Sequence, residues 1–203
     1  MRDRLRAVRL LAMDVDGTLT DGRITWAITA AGELVEAKAF HSRDGLGIAV
    51  ALAGGLPIAW ITGRESTIVA HRAAELRVPY VVQWARDKAH ALCEVAKRAG
   101  IPLAEVAYLG DDWNDWPAME LAGVRIAVAD APTELRTRVD WVTEAPGGGG
   151  AVREAIEAIL RAQDRWEAAL ACFFARLSPA TGGHASGLSA RRPRARSLDR
   201  SHQ

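Results

Sequence analysis

The sequence predicts an α/β fold built on a doubly wound, Rossmann-like and mainly parallel sheet. Short apolar runs alternate with segments of helical periodicity along most of the chain, the pattern of strands joined by crossover helices. The apolar runs are continuous rather than alternating, which is typical of strands buried on both faces. Four of the strand ends carry Asp, Thr or Lys side chains, and open α/β sheets bind their ligands at such ends.

The elements follow one another in a regular order. We predict strands at 8–13, 57–61, 80–82, 106–109, 124–129 and 140–143. Helices are predicted at 43–53, 65–76, 88–98, 116–121 and 133–138, and one long helix at 152–175. Asp87 suits the N-cap of its helix, and glycines at 54, 55 and 100 suit helix ends.

Residues 23–40 have a different pattern. Two alternating segments flank Gly32, which predicts a β-hairpin inserted after the first strand. A lone two-stranded hairpin with Trp26, Ile28 and Phe40 is not stable in water. We therefore expect the core or another subunit to cover it.

Composition limits the class of protein. Hydrophobic residues make up 49% and charged residues 25% of the chain, as in globular domains. Residues 1–175, which we assign to one domain, hold 20 basic and 24 acidic side chains, which argues against nucleic acid as a partner. Residues 176–203 are rich in Arg, Gly and Ser and are predicted to be disordered.

The expected location is the cytoplasm. No apolar run approaches the roughly 20 residues that span a bilayer, so no membrane partner is expected. The first residues lack the pattern of a signal peptide. Cys93 and Cys172 have no metal-ligand spacing and are interpreted as free thiols in a reducing compartment.

Two carboxylates follow the first predicted strand. Asp14 and Asp16 are separated by one residue, and acids at a buried strand end are costly unless a cation or a reaction requires them. Mg²⁺ binds carboxylate and phosphate oxygens. We interpret Asp14 as a magnesium ligand and nucleophile, and Asp16 as the general acid and base. A polar turn after a strand is the alternative.

Three further motifs follow other strands. The second motif predicts a phosphate-binding site made by the Thr62 hydroxyl and the helix start at Gly63 and Arg64. The third is Lys88, whose positive charge is suited to binding phosphate. The last motif crowds three carboxylates, those of Asp111, Asp112 and Asp115. A capping threonine and a solvated lysine are the ordinary interpretations of single residues, but four motifs at four strand ends favour one site.

Asp14-Val-Asp16-Gly17-Thr18, Thr62-Gly63-Arg64, Lys88 and Gly110-Asp111-Asp112 resemble, in order, the motifs of the haloacid dehalogenase superfamily of phosphohydrolases. Segments 40–45, 111–117 and 147–154 resemble more specifically its small capless members that dephosphorylate 3-deoxy-D-manno-octulosonate 8-phosphate (KDO 8-phosphate). The resemblance extends over residues 11–163.

The resemblance implies a role for each motif. Asp14 would be the nucleophile, and Mg²⁺ would be held by the carboxylates of Asp14 and Asp111 and the backbone carbonyl of Asp16. Thr62 and Lys88 would hold the phosphoryl oxygens, with Asp112 and Asp115 supporting. The implied substrate contacts are Asp16, His41, Ser42, Arg43, Asp44, Gly45, Gly63, Arg64, Arg72 and Lys88. A homotetramer joined through the hairpins, in which a neighbour covers the active site, is also implied.

Some positions leave alternatives open. His41-Ser42 replaces the usual Asn-Val of the family, and Ala49 stands where a basic residue often occurs. Both bear on the sugar acid, so a phosphatase for nine-carbon sugar-acid 9-phosphates (KDN or N-acylneuraminate) is the alternative. Receiver domains are a remoter alternative, because they carry the phosphoacceptor on a later strand. Non-catalytic regulatory homologues are another remote alternative. Glycines 147–150 would either approach the substrate or permit a tight helix entry.

Overall fold

The main sheet has six strands, all parallel. In the computed structural model, residues 1–177 are described. The strands are β1 (Leu10–Met13), β2 (Thr25–Ile28), β3 (Leu34–Ala37), β4 (Ile58–Ile61), β5 (Tyr80–Val82), β6 (Val106–Gly110), β7 (Val124–Ala127) and β8 (Trp141–Val142). The main sheet has the order β5-β4-β1-β6-β7-β8. Because the chain winds outwards from β1 in both directions, the predicted doubly wound topology is confirmed, and the switch point lies where Asp14 follows β1.

Eight α-helices occur in the described part of the chain. They are α1 (Arg2–Arg6), α2 (Ser42–Ala53), α3 (Thr67–Leu76), α4 (Lys88–Ala99), α5 (Trp116–Leu121), α6 (Thr133–Arg136), α7 (Ala151–Ala162) and α8 (Trp166–Leu177). Helices α1, α2, α7 and α8 pack together, and α4 packs with α5. The predicted Asp87 cap is confirmed, since its side chain accepts the His90 N–H at 2.9 Å.

The core follows from the continuous apolar strands. All residues of β1, β4 and β6 are buried, and Trp60 and Tyr108 are the largest fully buried side chains. Burying each large apolar side chain contributes about 2 kcal/mol. This packing fixes the strand ends, and with them the side chains of the four motifs.

The predicted long helix at 152–175 is wrong, because the chain turns between two helices. Asp164 has φ 57°, a left-handed conformation. Apart from glycine, short polar residues such as Asp and Asn tolerate this conformation best. Arg165 then donates to the Gly54 carbonyl at 2.5 Å, so α8 folds back on the end of α2. Apolar periodicity continues across the turn, and no Gly or Pro marks it.

Both ends of the chain differ from expectation. Helix α1 was not predicted. Arg176 and Leu177 belong to α8 rather than to a tail, and the rest of the predicted tail lies outside the described residues. The division into a domain at 1–175 and a tail stays a prediction. Within residues 1–177 no helix has the length and apolar character needed to cross a membrane.

The predicted hairpin is confirmed as a separate two-stranded sheet. Strands β2 and β3 are antiparallel, with Thr25 opposite Ala37 and Ile28 opposite Leu34. Phe40 packs against the core at the base of the hairpin. Trp26 is nevertheless 53% exposed, so the core covers only part of the hairpin.

Candidate active site

Asp14 lies at the end of β1 and is buried. Its backbone N–H donates to the Leu109 carbonyl at 3.0 Å, which ties it to the neighbouring strand β6. The ammonium of Lys88, at the start of α4, lies 2.8 Å from Asp14 Oδ1. Burial, followed by the charge of Asp115, raises the pKa of Asp14 well above its ordinary value, although Lys88 opposes this. The structure therefore brings the first and third motifs into direct contact.

Asp111 completes a cluster of carboxylates. Oxygens of Asp14, Asp111 and Asp115 lie within 4.8 Å of one another. Burial and the charge of Asp115 raise the pKa of Asp111 to about 6, even though the Thr18 hydroxyl donates to its Oδ1 at 3.0 Å. A divalent cation would favour the ionised forms of Asp14 and Asp111, and carboxylates are ligands that such cations prefer. The donor set therefore fits a cation.

Asp115 has no oxygen to spare for that cation. Its Oδ1 accepts hydrogen bonds from Lys88 at 2.7 Å and from the Tyr108 hydroxyl at 2.9 Å. Its Oδ2 accepts the backbone N–H groups of Asp111 at 3.1 Å and Asp112 at 3.4 Å. Asp14 and Asp111 are therefore the candidate ligands of this cluster, whereas both oxygens of Asp115 are taken up by hydrogen bonds. Asp112 is exposed, and its side chain accepts the Trp113 N–H at 2.8 Å.

Asp16 lies apart from the cluster and faces the second motif. Its Oδ2 accepts a hydrogen bond from the Thr62 hydroxyl at 3.4 Å and lies 4.0 Å from Arg64 Nε. Thr62 Oγ1 in turn accepts the Arg64 N–H at 3.3 Å, so this threonine also caps the turn after β4. Asp16 Oδ1 is bound by Lys38, from the end of the hairpin.

The hairpin thus contributes two residues that the sequence did not predict. Lys38 contacts Asp16, and Glu36 binds Arg64 at 3.0 Å and the Ser66 hydroxyl at 2.5 Å. Burial on its own raises the pKa of Glu36, but hydrogen bonds from Ser66, Lys38 and Arg64 outweigh it and hold that pKa below its usual range. The missed signal is a pair of opposite charges two residues apart, which share one face of a strand.

The glycine-rich segment supports the catalytic loop. The Gly148 N–H donates to the Thr18 carbonyl at 3.0 Å, and the Gly147 N–H to Asp130 Oδ1 at 2.9 Å. A Cβ on Gly147 would overlap the carbonyl of Gly17. Gly17 itself has φ 101° and lies against the Asp111 carboxylate, where a Cβ would also overlap. Gly147 is therefore required for backbone-to-backbone packing beside the site, and Gly17 for the close approach of the Asp111 side chain.

The predicted sugar-binding segment begins α2. His41 caps this helix by accepting the Arg43 N–H, and Ser42 and Arg43 are exposed. Asp44 is fully buried, and its Oδ1 accepts the Arg153 N–H at 2.7 Å, so it caps α7. Burial raises the pKa of Asp44, partly offset by that hydrogen bond.

Two other predicted contact residues lie on different elements. Arg72, on α3, lies against Gly45 and 5.9 Å from the centre of the Phe40 ring, and so borders the predicted sugar-binding segment. Gly63 is exposed beside Thr62. These positions are compatible with substrate contacts, whereas Asp44 Oδ1 is engaged by α7 and its buried Oδ2 has no hydrogen-bond partner among the described residues.

The fold and this arrangement define a hydrolase of the haloacid dehalogenase type. Residues 75–156 match the family model described as haloacid dehalogenase-like hydrolase. The 3-deoxy-D-manno-octulosonate 8-phosphate phosphatase of Escherichia coli K12 is 43% identical over 162 residues, which are 80% of this chain and 84% of that protein.

Solved structures agree with this. The Moraxella catarrhalis phosphatase of the same name, in complex with magnesium, phosphate and KDO, is 41% identical with a TM-score of 0.77, covering 85% of this chain and 97% of that one. The Yersinia pestis phosphatase is 40% identical with a TM-score of 0.76, covering 82% and 88%. The chain belongs to the 3-deoxy-D-manno-octulosonate 8-phosphate phosphatase family. Membership excludes the receiver-domain alternative.

Proposed function

We propose that this chain is a Mg²⁺-dependent phosphatase that hydrolyses KDO 8-phosphate through an aspartyl-phosphate intermediate. The observation that carries the proposal is the buried Asp14, paired with Lys88 beside Asp111, in a chain 43% identical to phosphatases of that name. The Moraxella structure supports it, since that relative binds magnesium, phosphate and KDO together.

In the first half-reaction, an Asp14 oxygen attacks phosphorus and the bond from phosphorus to the sugar oxygen breaks. The leaving oxygen takes a proton from Asp16, whose carboxyl group lies outside the cluster and faces the Thr62 hydroxyl. Lys88 holds Asp14 in place and balances charge on the phosphoryl oxygens, and the Thr62 hydroxyl beside Asp16 binds one of them.

In the second half-reaction, water attacks phosphorus and the bond to Asp14 breaks. Asp16 takes the proton of that water and is ready for the next cycle. Mg²⁺, when bound, supplies charge that favours ionised carboxylates and polarises phosphoryl oxygens. The carboxylates of Asp14 and Asp111 and the backbone carbonyl of Asp16 would hold it.

For the sugar acid we propose contacts at 41–45, Arg64 and Arg72. The exposed Arg43 and the guanidinium of Arg72 offer charge that complements a carboxylate. His41-Ser42 and Ala49 depart from the family pattern at positions where the sugar acid would be bound. This departure favours a nine-carbon sugar-acid 9-phosphate as the second candidate substrate.

We further propose a cytoplasmic homotetramer joined through the hairpins. Both cysteines are free, which accords with a reducing compartment. Ile28 is 75% and Leu34 is 64% exposed, and these cross-strand partners form an apolar surface that suits a second copy. Within the chain itself, the guanidinium groups of Arg153 and Arg161 lie over the ring of Trp166.

Phosphate release from a panel of phosphate esters tests the substrate. The panel contains KDO 8-phosphate, the nine-carbon 9-phosphates and small neutral sugar phosphates, each with Mg²⁺ and with EDTA. We expect KDO 8-phosphate to give the highest kcat/KM and EDTA to abolish turnover. Preference for a nine-carbon ester would select the second candidate, and preference for small neutral esters would contradict both.

Replacement of the nucleophile tests the mechanism. Asp14→Asn should lower kcat by at least about a thousandfold, because no other side chain can form the intermediate. The fold should remain, since Asn removes a charge whose burial is unfavourable. Thermal unfolding and steady-state kinetics measure both effects, and activity near that of the wild type would contradict the mechanism.

A further inference from the structure

Two charges near the base of an otherwise exposed hairpin face inward, Glu36 in strand β3 and Lys38 just after it. Exposure alternates from Glu36 to Phe40, so that Ala37 is exposed whereas Glu36 and Lys38 are partly covered. The side chain of Lys38 is only 2% exposed. Because residues two apart share a strand face, both charges are turned to the body of the protein.

Lys38 ends on a catalytic group rather than on a structural one. Its ammonium binds Asp16 Oδ1 and lies 3.2 Å from Glu36 Oε1. Removing an ammonium group from water costs several kcal/mol of desolvation free energy. The attraction within an ion pair offsets this cost only when its geometry is good. An anchor for the hairpin needs no such charge, since Phe40 already packs on the core. A buried lysine on the acid and base of the reaction points to substrate.

Arg64 approaches the same carboxylate on its other oxygen. Its Nε lies 4.0 Å from Asp16 Oδ2 and is a buried donor without a hydrogen-bond partner among the described residues. Glu36 joins the two cations, since Oε1 contacts both Lys38 and Arg64 and Oε2 accepts the Ser66 hydroxyl at 2.5 Å. Two donors, braced by one carboxylate, therefore flank Asp16.

The position of Asp16 determines what these donors can reach. Asp16 must lie within hydrogen-bond distance of the ester oxygen to which it gives its proton. A donor bonded to Asp16 is then close to the atoms next to that ester, and in a polyhydroxy acid the neighbouring carbon carries a hydroxyl group. The distant carboxylate of the sugar acid lies beyond this reach.

We propose that Lys38 is a substrate-binding residue that recognises the hydroxyl next to the phosphate ester, with Glu36 positioning it and Arg64 as the second donor. This rests on the proposed function and adds a specificity determinant to it. The chemical class selected is a phosphate monoester with a vicinal hydroxyl group. Esters without that hydroxyl leave buried donors unpaired, which is an effective means of discrimination.

The test compares two substrates in one variant. Lys38→Met keeps the length of the side chain and removes its donors. We expect the ratio of kcat/KM for KDO 8-phosphate to that for n-propyl phosphate, an alkyl ester that also needs a proton on its leaving oxygen but has no vicinal hydroxyl, to fall about 10–100-fold. Lys38→Arg should keep the ratio within about threefold of wild type, a shift of under 1 kcal/mol. If Lys38→Met does not fold, Lys38→Leu, which also has no donor, replaces it with the same expected fall.

Lys97→Met is the matched control, because Lys97 is an exposed lysine in the last turn of α4. This control variant should leave kcat/KM unchanged for both substrates. An unchanged ratio in Lys38→Met, or an equal loss on both substrates, would overturn the inference and leave the proposed function standing. A wild-type protein with no preference for KDO 8-phosphate would instead contradict the proposed function, and the inference with it.

Discussion

Asp115 organises the fourth motif from a fully buried position. It accepts two hydrogen bonds from side chains and two from the backbone. An amide in its place can accept on one side only, so that two buried donors lose their partner. We expect Asp115→Asn to lower the free energy of unfolding by about 3 kcal/mol. Chemical denaturation measures the change.

Asp112→Asn provides the matched control, since Asp112 precedes the same helix but is exposed. Its effect on stability should stay within about 0.5 kcal/mol. Equal losses in the two variants would show that the hydrogen bonds of Asp115 do not carry the stability assigned to them.

Asp140 gives the structure a pH dependence far from the active site. Burial on its own raises the pKa of Asp140, but the hydrogen bonds from Arg125 and from Arg4 outweigh it and hold that pKa well below the ordinary value. A lowered folded-state pKa means that stability is present above the unfolded pKa of about 4 and is lost as the pH falls further. Asp140→Asn should therefore cost about 2 kcal/mol at pH 7.

The deficit of Asp140→Asn should shrink as the pH falls from about 4 towards the folded-state pKa. Denaturation curves recorded from pH 7 down to about 2.5, the lowest practical pH, measure this stability deficit. Asp164→Asn is the control, because its carboxylate is 60% exposed and its pairs with Arg2 and Arg6 are on the surface. A deficit that does not change with pH would contradict the ionic origin of the stabilisation.

The residues predicted at the site differ in how well the sequence could locate them. Asp14, Lys88 and Asp111 follow buried strands or open a helix beside one, so the parallel sheet itself brings them together. Glu36 and Lys38 come from an inserted hairpin whose placement depends on tertiary packing, and no strand of the main sheet fixes it. Their contacts with Asp16 and Arg64 could not be derived from the pattern of elements.

At the scale of elements, substitution in the glycine-rich segment 147–150 should affect both catalysis and stability. Gly147→Ala places a Cβ on the Gly17 carbonyl, so the loop after Asp14 must shift. We expect kcat to fall about 10–100-fold, because small displacements of catalytic groups are costly, and stability to fall by about 1–3 kcal/mol. Kinetics and thermal unfolding of one preparation measure both.

Gly32→Ala separates backbone strain from loss of catalytic geometry. Gly32 has φ 83° in the hairpin turn, and no atom lies within 4 Å of a Cβ built there. It should lose about 1 kcal/mol of stability through strain and keep its kcat. Full activity in Gly147→Ala would contradict the supporting role of the glycine-rich segment.

Helix and strand positions were largely predictable, and the failures have a common cause. The strands of the sheet are continuous apolar runs closed by polar residues, so their pattern is local. The break between α7 and α8 depends on Asp164 in a left-handed conformation and on a hydrogen bond from Arg165 to the distant Gly54. Such long-range contacts override periodicity, and a window of sequence does not contain them.

At the scale of the whole molecule, the proposed assembly through the hairpins bears on catalysis. Next to its turn the hairpin carries the exposed pair Ile28 and Leu34, and near its base it carries Glu36 and Lys38 against Asp16 and Arg64. Contacts between hairpins of different subunits would therefore restrain residues next to the acid and base. Loss of the proposed tetramer should then impair turnover even though each subunit keeps its own Asp14, Lys88 and Asp111.

The variant Ile28→Glu/Leu34→Glu tests this connection. Two like charges on a cross-strand pair oppose burial between subunits, so we expect sedimentation to show monomers. The kcat/KM for KDO 8-phosphate should fall about tenfold or more, as expected when the groups that contact a substrate lose their fixed positions. Leu121→Glu is the control, since Leu121 is 40% exposed on α5, and it should leave assembly and activity unchanged. Monomers with full activity would separate the hairpin from catalysis, whereas an intact tetramer would place the subunit interface on another surface.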